Sequence, residues 1–91
     1  MRIIMPFQEL QYLNLAMNNI QRVEGLDRCE SLQSLDLTLN FITSQSLSSI
    51  TSLSMLQHLT DLKLVGNPCT NWKHYRCYVA SILPRLLFLV R

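Results

Sequence analysis

The sequence is poor in charge: 15% of its 91 residues are charged, and the formal net charge is only +2. Lys and Arg are scattered and form no basic run, so the sequence gives little support to nucleic-acid binding. The longest apolar stretches, such as residues 86–90, are far too short to span a bilayer. We therefore expect neither a nucleic-acid partner nor a membrane partner.

Cysteine is also scarce, and the three cysteines do not have the spacing of a disulfide framework. The Asn-x-Ser/Thr glycosylation acceptor is absent, and the apolar residues 3–7 are too few for a secretory signal. These absences favour a cytoplasmic protein. Because 48% of the chain is apolar, it has enough material for a core and too much for a disordered tail. We expect one small domain over residues 1–91.

One pattern occurs three times along the chain. It is Leu-x-x-Leu-x-Leu-x-x-Asn, and its copies begin at Leu10, Leu32 and Leu59. This is the signature of a leucine-rich repeat, in which short strands turn alternate leucines into a core and stack side by side. We predict an α/β fold: a short solenoid of about three repeats with a parallel concave sheet and a helical C-terminal cap.

The repeat spacing predicts the internal boundaries of this domain. Residues 1–9 are interpreted as a partial repeat, residues 10–31, 32–58 and 59–70 as repeats, and residues 71–91 as the cap. No polar cap precedes the first strand, which would leave an open sheet edge. We therefore expect a fragment or an unusual form of a longer array, one that self-associates through this edge or is less stable there.

The segments between the strands carry a second periodicity. From Leu47 to Leu56 the apolar residues recur at steps of three, which predicts a helical turn or two on the convex face. The serines of this segment are expected to form its solvated side. In the cap, Asn71 is a candidate N-cap for a helix that begins near Trp72, and Pro84 is expected to end that helix.

Each copy of the motif ends in asparagine, at Asn18, Asn40 and Asn67. The chain must turn sharply there, and some backbone groups are left inside the slab. A carboxamide has both a donor and an acceptor, so stacked asparagines can satisfy those groups in neighbouring coils. We predict a structural asparagine ladder at these positions.

Side chains between the core leucines are expected to project from the concave face, where they form rows across the strands. In one row, Asp36 is expected to face Lys63 as a weak surface ion pair. Met17 and Leu39 are apolar at the turns after the strands, which indicates an apolar contact patch. We predict that the concave face, rather than the convex face, binds a protein partner. Its predicted contact residues are Tyr12, Asn14, Ser34, Asp36, Thr38, Asp61, Lys63 and Phe88.

Motifs for catalysis or metal binding are weak. Cys69, His74 and Cys77 have zinc-ligand chemistry, but a structural zinc site needs four ligands and the nearest further candidate is His58. Packing is the simpler explanation of both cysteines. The chain has no Gly-rich phosphate loop, no Gly-x-Ser-x-Gly motif and no plausible pair of catalytic carboxylates. We expect no enzyme activity, no catalytic residue, no bound metal and no cofactor.

The amino-acid sequence of the repeats resembles that of a known family. LQYLNLA at residues 10–16 and LDLT at residues 35–38 resemble the short-repeat proteins of the SDS22-like group. GNPC at residues 66–69, followed by HYR at residues 74–76, is similar to one branch of that group, the leucine-rich-repeat dynein axonemal assembly factors of the tilB type. The resemblance implies a protein-binding module that acts with the dynein assembly machinery in the cytoplasm of ciliated or flagellated cells.

Two other functions stay open at this point. Other SDS22-like proteins suggest a regulatory or scaffold subunit that grips a protein phosphatase or another signalling enzyme. A receptor-like binding repeat protein is the third alternative.

Overall fold

The computed structural model of the chain describes residues 8–90, apart from the side chain of Val90. Most of the predicted partial repeat, residues 1–7, lies outside the described residues, as does residue 91. The described part is a parallel sheet backed by short helical segments on the other side of a leucine-rich core.

A four-stranded parallel sheet runs through the molecule in the order β1-β2-β3-β4. The leucine motifs supply the first three strands, and the cap supplies the last one. This order, in which neighbours in sequence are neighbours in space, confirms the predicted short solenoid with a capping segment. The strand bounds are β1 Tyr12–Asn14, β2 Ser34–Asp36, β3 Asp61–Lys63 and β4 Phe88–Val90.

Alternation inside the motif decides which side chains form the core. Leu35 and Leu37 of the second motif are completely buried, and so are Leu62 and Leu64 of the third. Leu13, on the outermost described strand, is half-buried. Since a fully buried leucine contributes about 1.5–3 kcal/mol, the stacked leucines are the main stabilising element of the fold.

The segment between β2 and β3 is a 3₁₀ helix over Leu47–Met55, which confirms the predicted helical segment. A 3₁₀ helix has three residues per turn, so side chains at steps of three lie on one face. Leu47, Ile50 and Leu53 are accordingly all buried. The strict step of three, without any step of four, is the feature that favours 3₁₀ geometry.

Two serines of this 3₁₀ helix bind the neighbouring coil, so the expectation of a purely solvated serine side is wrong. The Oγ atom of buried Ser49 accepts a hydrogen bond from the Val23 N–H at 2.8 Å. The hydroxyl of Ser52 donates to the Val23 carbonyl at 3.2 Å. These bonds satisfy a backbone segment that has no strand partner of its own.

The cap helix, α1, spans Tyr75–Ile82. The prediction that it begins near Trp72 with Asn71 as its N-cap is therefore wrong. Asn71 instead ends a short 3₁₀ turn over Pro68–Asn71, which begins with a proline because the first helical position needs no N–H donor. The end of α1, two residues before Pro84, agrees with the prediction.

β1 is the outer strand at one edge of the described sheet. Self-association through this edge stays a prediction. Within residues 8–90, no helix has the length and apolar character needed to cross a membrane.

Candidate functional site

The parallel register aligns one row of predicted contact residues across the whole concave face. Tyr12 pairs with Ser34, Ser34 with Asp61, and Asp61 with Phe88. With neighbouring strands about 4.8 Å apart, the row is roughly 14 Å long. Its two ends are exposed aromatic rings, Tyr12 at 67% and Phe88 at 60%, while the hydroxyl and the carboxylate between them are half-buried. The row is a mixed surface with an aromatic ring at each end.

The second row contains Asn14, Asp36 and Lys63. Asp36 is held by its own turn: its Oδ1 atom accepts hydrogen bonds from the backbone N–H of Thr38, at 3.0 Å, and from the Thr38 hydroxyl. Asp36 faces Lys63 in the register, as predicted, but among the described residues no ion pair joins them. A carboxylate already fixed in this way loses little conformational freedom when a partner binds it.

The same local turn occurs one coil earlier. The Oδ1 atom of Asn14 accepts a hydrogen bond from the Ala16 N–H at 2.9 Å. Short polar side chains of this kind bond to the backbone two residues later and so stabilise a turn. Asn14 and Asp36 therefore have a local structural task as well as their predicted contact role.

At the turns after the first two strands, an apolar residue lies in a left-handed backbone conformation. We call these two residues, Met17 and Leu39, the apolar edge of the concave face. Met17 has φ 59° and Leu39 has φ 56°, and Gly66 has φ 76° at the equivalent place in the third coil. An L side chain in this left-handed region costs about 1–2 kcal/mol, which glycine avoids. Met17 is nevertheless 73% exposed and Leu39 is 52% exposed. Large apolar side chains that are strained and largely outside the core are candidates for contact with a partner.

Leu39 lies against Gly66 of the next coil, where the positive φ of 76° favours glycine. A Cβ atom at Gly66 would lie 2.5 Å from the Cδ2 atom of Leu39, so the leucine side chain covers the bare backbone of the next coil. A further exposed apolar residue, which the repeat pattern did not predict, is Phe41, directly after the buried Asn40. An apolar residue placed immediately after the asparagine is the feature that could have identified it.

Asn40 joins the first two coils. Its Oδ1 atom accepts hydrogen bonds from the N–H groups of Asn18, at 2.9 Å, and Ile20, at 3.0 Å. Its Nδ2 group donates to the carbonyls of Leu15, at 3.0 Å, and Leu37, at 2.9 Å. The side chain is buried, and it uses both ends of the carboxamide on backbone groups of two coils.

Asn67 makes the equivalent contacts one coil further on, whereas within the described residues the side chain of Asn18 bonds to its own coil. Asn67 accepts from the Ile42 N–H at 3.1 Å and donates to the carbonyls of Leu37, at 2.8 Å, and Leu64, at 3.1 Å. The Nδ2 group of half-buried Asn18 donates to the Ala16 carbonyl of its own coil at 3.1 Å. The two inner asparagines therefore hold the concave strands in register.

The residues considered as zinc ligands differ in their surroundings. Cys69 is buried and Cys77 is exposed. In the part of the chain that the structure describes, no group of three or more His, Cys, Asp and Glu side chains is arranged to hold a metal ion. Burial raises the pKa of the Cys69 thiol to about 11, because the thiolate would have to form without water around it.

These surroundings predict a difference in thiol reactivity. In the folded protein near neutral pH, we expect a maleimide reagent to label Cys77 and to leave Cys69 unlabelled, because reagents need an accessible thiolate. Since the thiolate of Cys69 forms more easily in the unfolded chain, stability should also fall as pH rises from 9.0 to about 11. Mass spectrometry of digested protein after brief labelling checks the first point. Labelling of Cys69 as fast as Cys77 without denaturant would contradict it.

A family model described as a leucine-rich repeat matches residues 4–90 of the chain. Dynein axonemal assembly factor 11 of Trypanosoma brucei brucei is 49% identical over 77 residues, which cover 85% of this chain and 20% of that protein. The protein of the same name from Mus musculus is 46% identical over 86 residues, covering 94% and 18%. The chain thus spans about a fifth of the length of these curated relatives.

A solved structure shows the same architecture. A chain in the crystal structure of the Drosophila melanogaster SNF/U2A' complex is similar with a TM-score of 0.83 and 31% sequence identity. The similarity covers 96% of this chain and 50% of that chain. The short parallel sheet with its capping segment therefore occurs in an experimentally determined protein.

Proposed function

Because this chain belongs to the leucine-rich-repeat family, we propose that it is a non-enzymatic protein-binding module that works in the cytoplasmic assembly of axonemal dyneins. Two observations support a protein-interaction role: the names of its curated relatives and the chemistry of its concave face. The observation that carries the proposal is the row from Tyr12 to Phe88, which presents two exposed rings and two polar groups on one rigid sheet.

The geometry supports binding in two ways. Aromatic residues dominate the energetics of protein interfaces, because they bury a large area at a low cost in conformational entropy. The asparagine bonds between coils fix the strands, so little backbone order has to be created when a partner binds. The proposed contact surface consists of Tyr12, Asn14, Ser34, Asp36, Thr38, Asp61, Lys63 and Phe88, with Met17 and Leu39 at its edge.

A paired substitution on the concave face tests this proposal. Tyr12→Ala combined with Asp36→Asn removes a ring and a charge, but it keeps an oxygen that can accept from the Thr38 N–H. We expect capture of the partner from a lysate of ciliated cells to fall about tenfold or more, while the melting temperature changes little. The captured proteins are measured by quantitative mass spectrometry. We expect dynein assembly proteins among them.

The matched control changes the same kinds of side chain on the convex side. Met55→Ala combined with Glu30→Gln removes one exposed apolar side chain and one charge there, and it should leave capture unchanged. Loss of capture by the convex variant alone would reject the concave face. Capture of a protein phosphatase in place of dynein assembly proteins would reject the proposed assembly role.

The apolar edge makes a separate prediction. Met17→Gly relieves a left-handed backbone and removes a largely exposed side chain, so the variant should be as stable as the parent or more stable by up to about 1 kcal/mol. If Met17 contacts the partner, the same variant should bind less tightly. Urea unfolding and partner capture on one preparation measure both effects. A variant with undiminished capture would remove Met17 from the contact surface.

A further inference from the structure

The C-terminal end of the solenoid has an apolar groove that the proposed concave site does not use. It has a volume of about 280 Å³ and lies between α1 and the segment that leads into β4. Its apolar lining includes Val79, Leu83, Leu87 and Leu89. Leu87 is 72% exposed, whereas the leucines of the second and third motifs are buried. We call this feature the cap groove.

A second groove of about 210 Å³ adjoins the cap groove and shares Leu83 and Pro84 with it. It lies between α1 and the 3₁₀ helix and includes Arg85. The Nη1 atom of Arg85 donates to the Ser54 carbonyl at 3.4 Å, which places the guanidinium across this second groove. The two grooves meet at Leu83 and Pro84, and apolar side chains line both.

The charge of this end of the molecule has one sign. From residue 71 to residue 90 the sequence contains Lys73, Arg76 and Arg85 but no Asp or Glu. Arg76 lines the cap groove and Arg85 lines the adjoining one. Neither arginine forms an ion pair with any acidic residue in the described range 8–90. Among the described residues that line the two grooves, these arginines are the only charged ones, so the rim is cationic.

We propose that the cap groove and its neighbour dock an acidic segment of a partner protein that also carries apolar side chains. The apolar side chains would cover Leu87 and Leu89, and the carboxylates would face Arg76 and Arg85. Charge complementarity selects this occupant: a basic segment would bring like charges together at the rim, which costs binding energy. An uncharged apolar segment would leave both arginines without a counter-ion.

The test uses the whole chain and two synthetic fluorescein-labelled peptides. Both carry leucines at helical spacing; one has glutamate at the remaining positions and the other has lysine. Fluorescence anisotropy should show binding of the glutamate peptide only, and high salt should weaken that binding because surface charges are screened. Equal binding of both peptides, or binding of neither, would overturn the proposal.

Single substitutions locate the binding site. We expect Arg76→Glu and Leu87→Ser each to weaken binding of the glutamate peptide about fivefold or more. The matched control is Lys73→Glu, which reverses an exposed cap charge outside both groove linings and should change binding less than about twofold. An equal loss with Lys73→Glu would mean diffuse attraction, not a docking site.

The oligomeric state separates this proposal from self-association. If sedimentation shows a dimer that Leu87→Ser dissolves, then a second copy of the chain occupies the groove and the acidic-segment proposal is wrong. A parent chain that stays monomeric while it binds the glutamate peptide agrees with it. Because the variants leave the concave rows untouched, this test is independent of the capture experiment.

Discussion

Replacement of Asn40 by aspartate should destabilise the domain by about 3 kcal/mol or more at neutral pH. The substitution keeps the shape of the side chain and the acceptor for the N–H groups of Asn18 and Ile20. It replaces the donor to Leu15 and Leu37 with a carboxylate oxygen, which repels both carbonyls in a buried site. Thermal or urea unfolding of the variant beside its parent gives the difference in unfolding free energy.

The predicted loss depends on pH with a definite sign. Burial and the two carbonyls favour the neutral acid, so the pKa of the introduced carboxyl is raised in the folded state above its unfolded value of about 3.9. The variant should therefore recover part of its stability, relative to the parent, as pH falls below the raised value. The matched control, Asn18→Asp, loses one bond at a half-buried position and should cost much less. Equal losses of stability in the Asn40 and Asn18 variants would contradict the structural role assigned to the asparagine ladder.

Truncation of Leu37 to alanine should cost about 2–5 kcal/mol, since it removes buried methyl groups and leaves a cavity that the neighbours fill only in part. Leu37 is completely buried. Its carbonyl also accepts hydrogen bonds from both Asn40 and Asn67, so any movement of this residue disturbs two coils. In a domain of 91 residues, a loss of this size is a large part of the total stability of about 5–15 kcal/mol.

The control for the Leu37→Ala variant is Leu87→Ala, which truncates a leucine that is already exposed. This second variant should stay within about 0.5 kcal/mol of the parent. Calorimetry or urea unfolding can rank the two variants directly. If the Leu37→Ala variant has the same melting temperature as the parent, then the leucines of the motif do not form the core that the structure assigns to them.

The register of the sheet could be predicted because the leucine motif allows only one alignment of neighbouring strands that buries the leucines. With leucines at alternate positions in every copy, a shift by one residue would turn Leu35 and Leu62 to solvent. The pairing of Tyr12 with Ser34, and of Asp61 with Phe88, follows from that constraint. The residues of the candidate site are therefore placed by the sequence, although their role in binding stays a prediction.

Other features depend on contacts that a single sequence does not display. The start of α1 was misplaced because Asn71 has the chemistry of an N-cap, but the chain first closes a 3₁₀ turn begun by Pro68. The left-handed backbone at Met17 and Leu39 could not be read from residue type, since neither residue favours it. Hydrogen bonds between coils set those turns, including Met17 N–H to the Thr38 carbonyl at 2.9 Å.

The two proposed binding surfaces differ in their charge and in their apolar side chains. The concave face combines aromatic rings with half-buried carboxylates at Asp36 and Asp61. The two grooves at the cap combine exposed leucine with arginine, and no Asp or Glu is among the described residues that line them. Surfaces of such different character are suited to different segments of partner proteins.

Site-specific photo-crosslinking tests the central claim most directly. A photoreactive amino acid at Lys63 lies on the concave face, and the same group at Thr51 lies on the exposed side of the convex 3₁₀ helix. In a lysate of ciliated cells, we predict strong crosslinks from position 63 to a dynein assembly protein and none to that protein from position 51. Crosslinks to it from position 51 alone would contradict the assignment of the concave sheet as the binding surface.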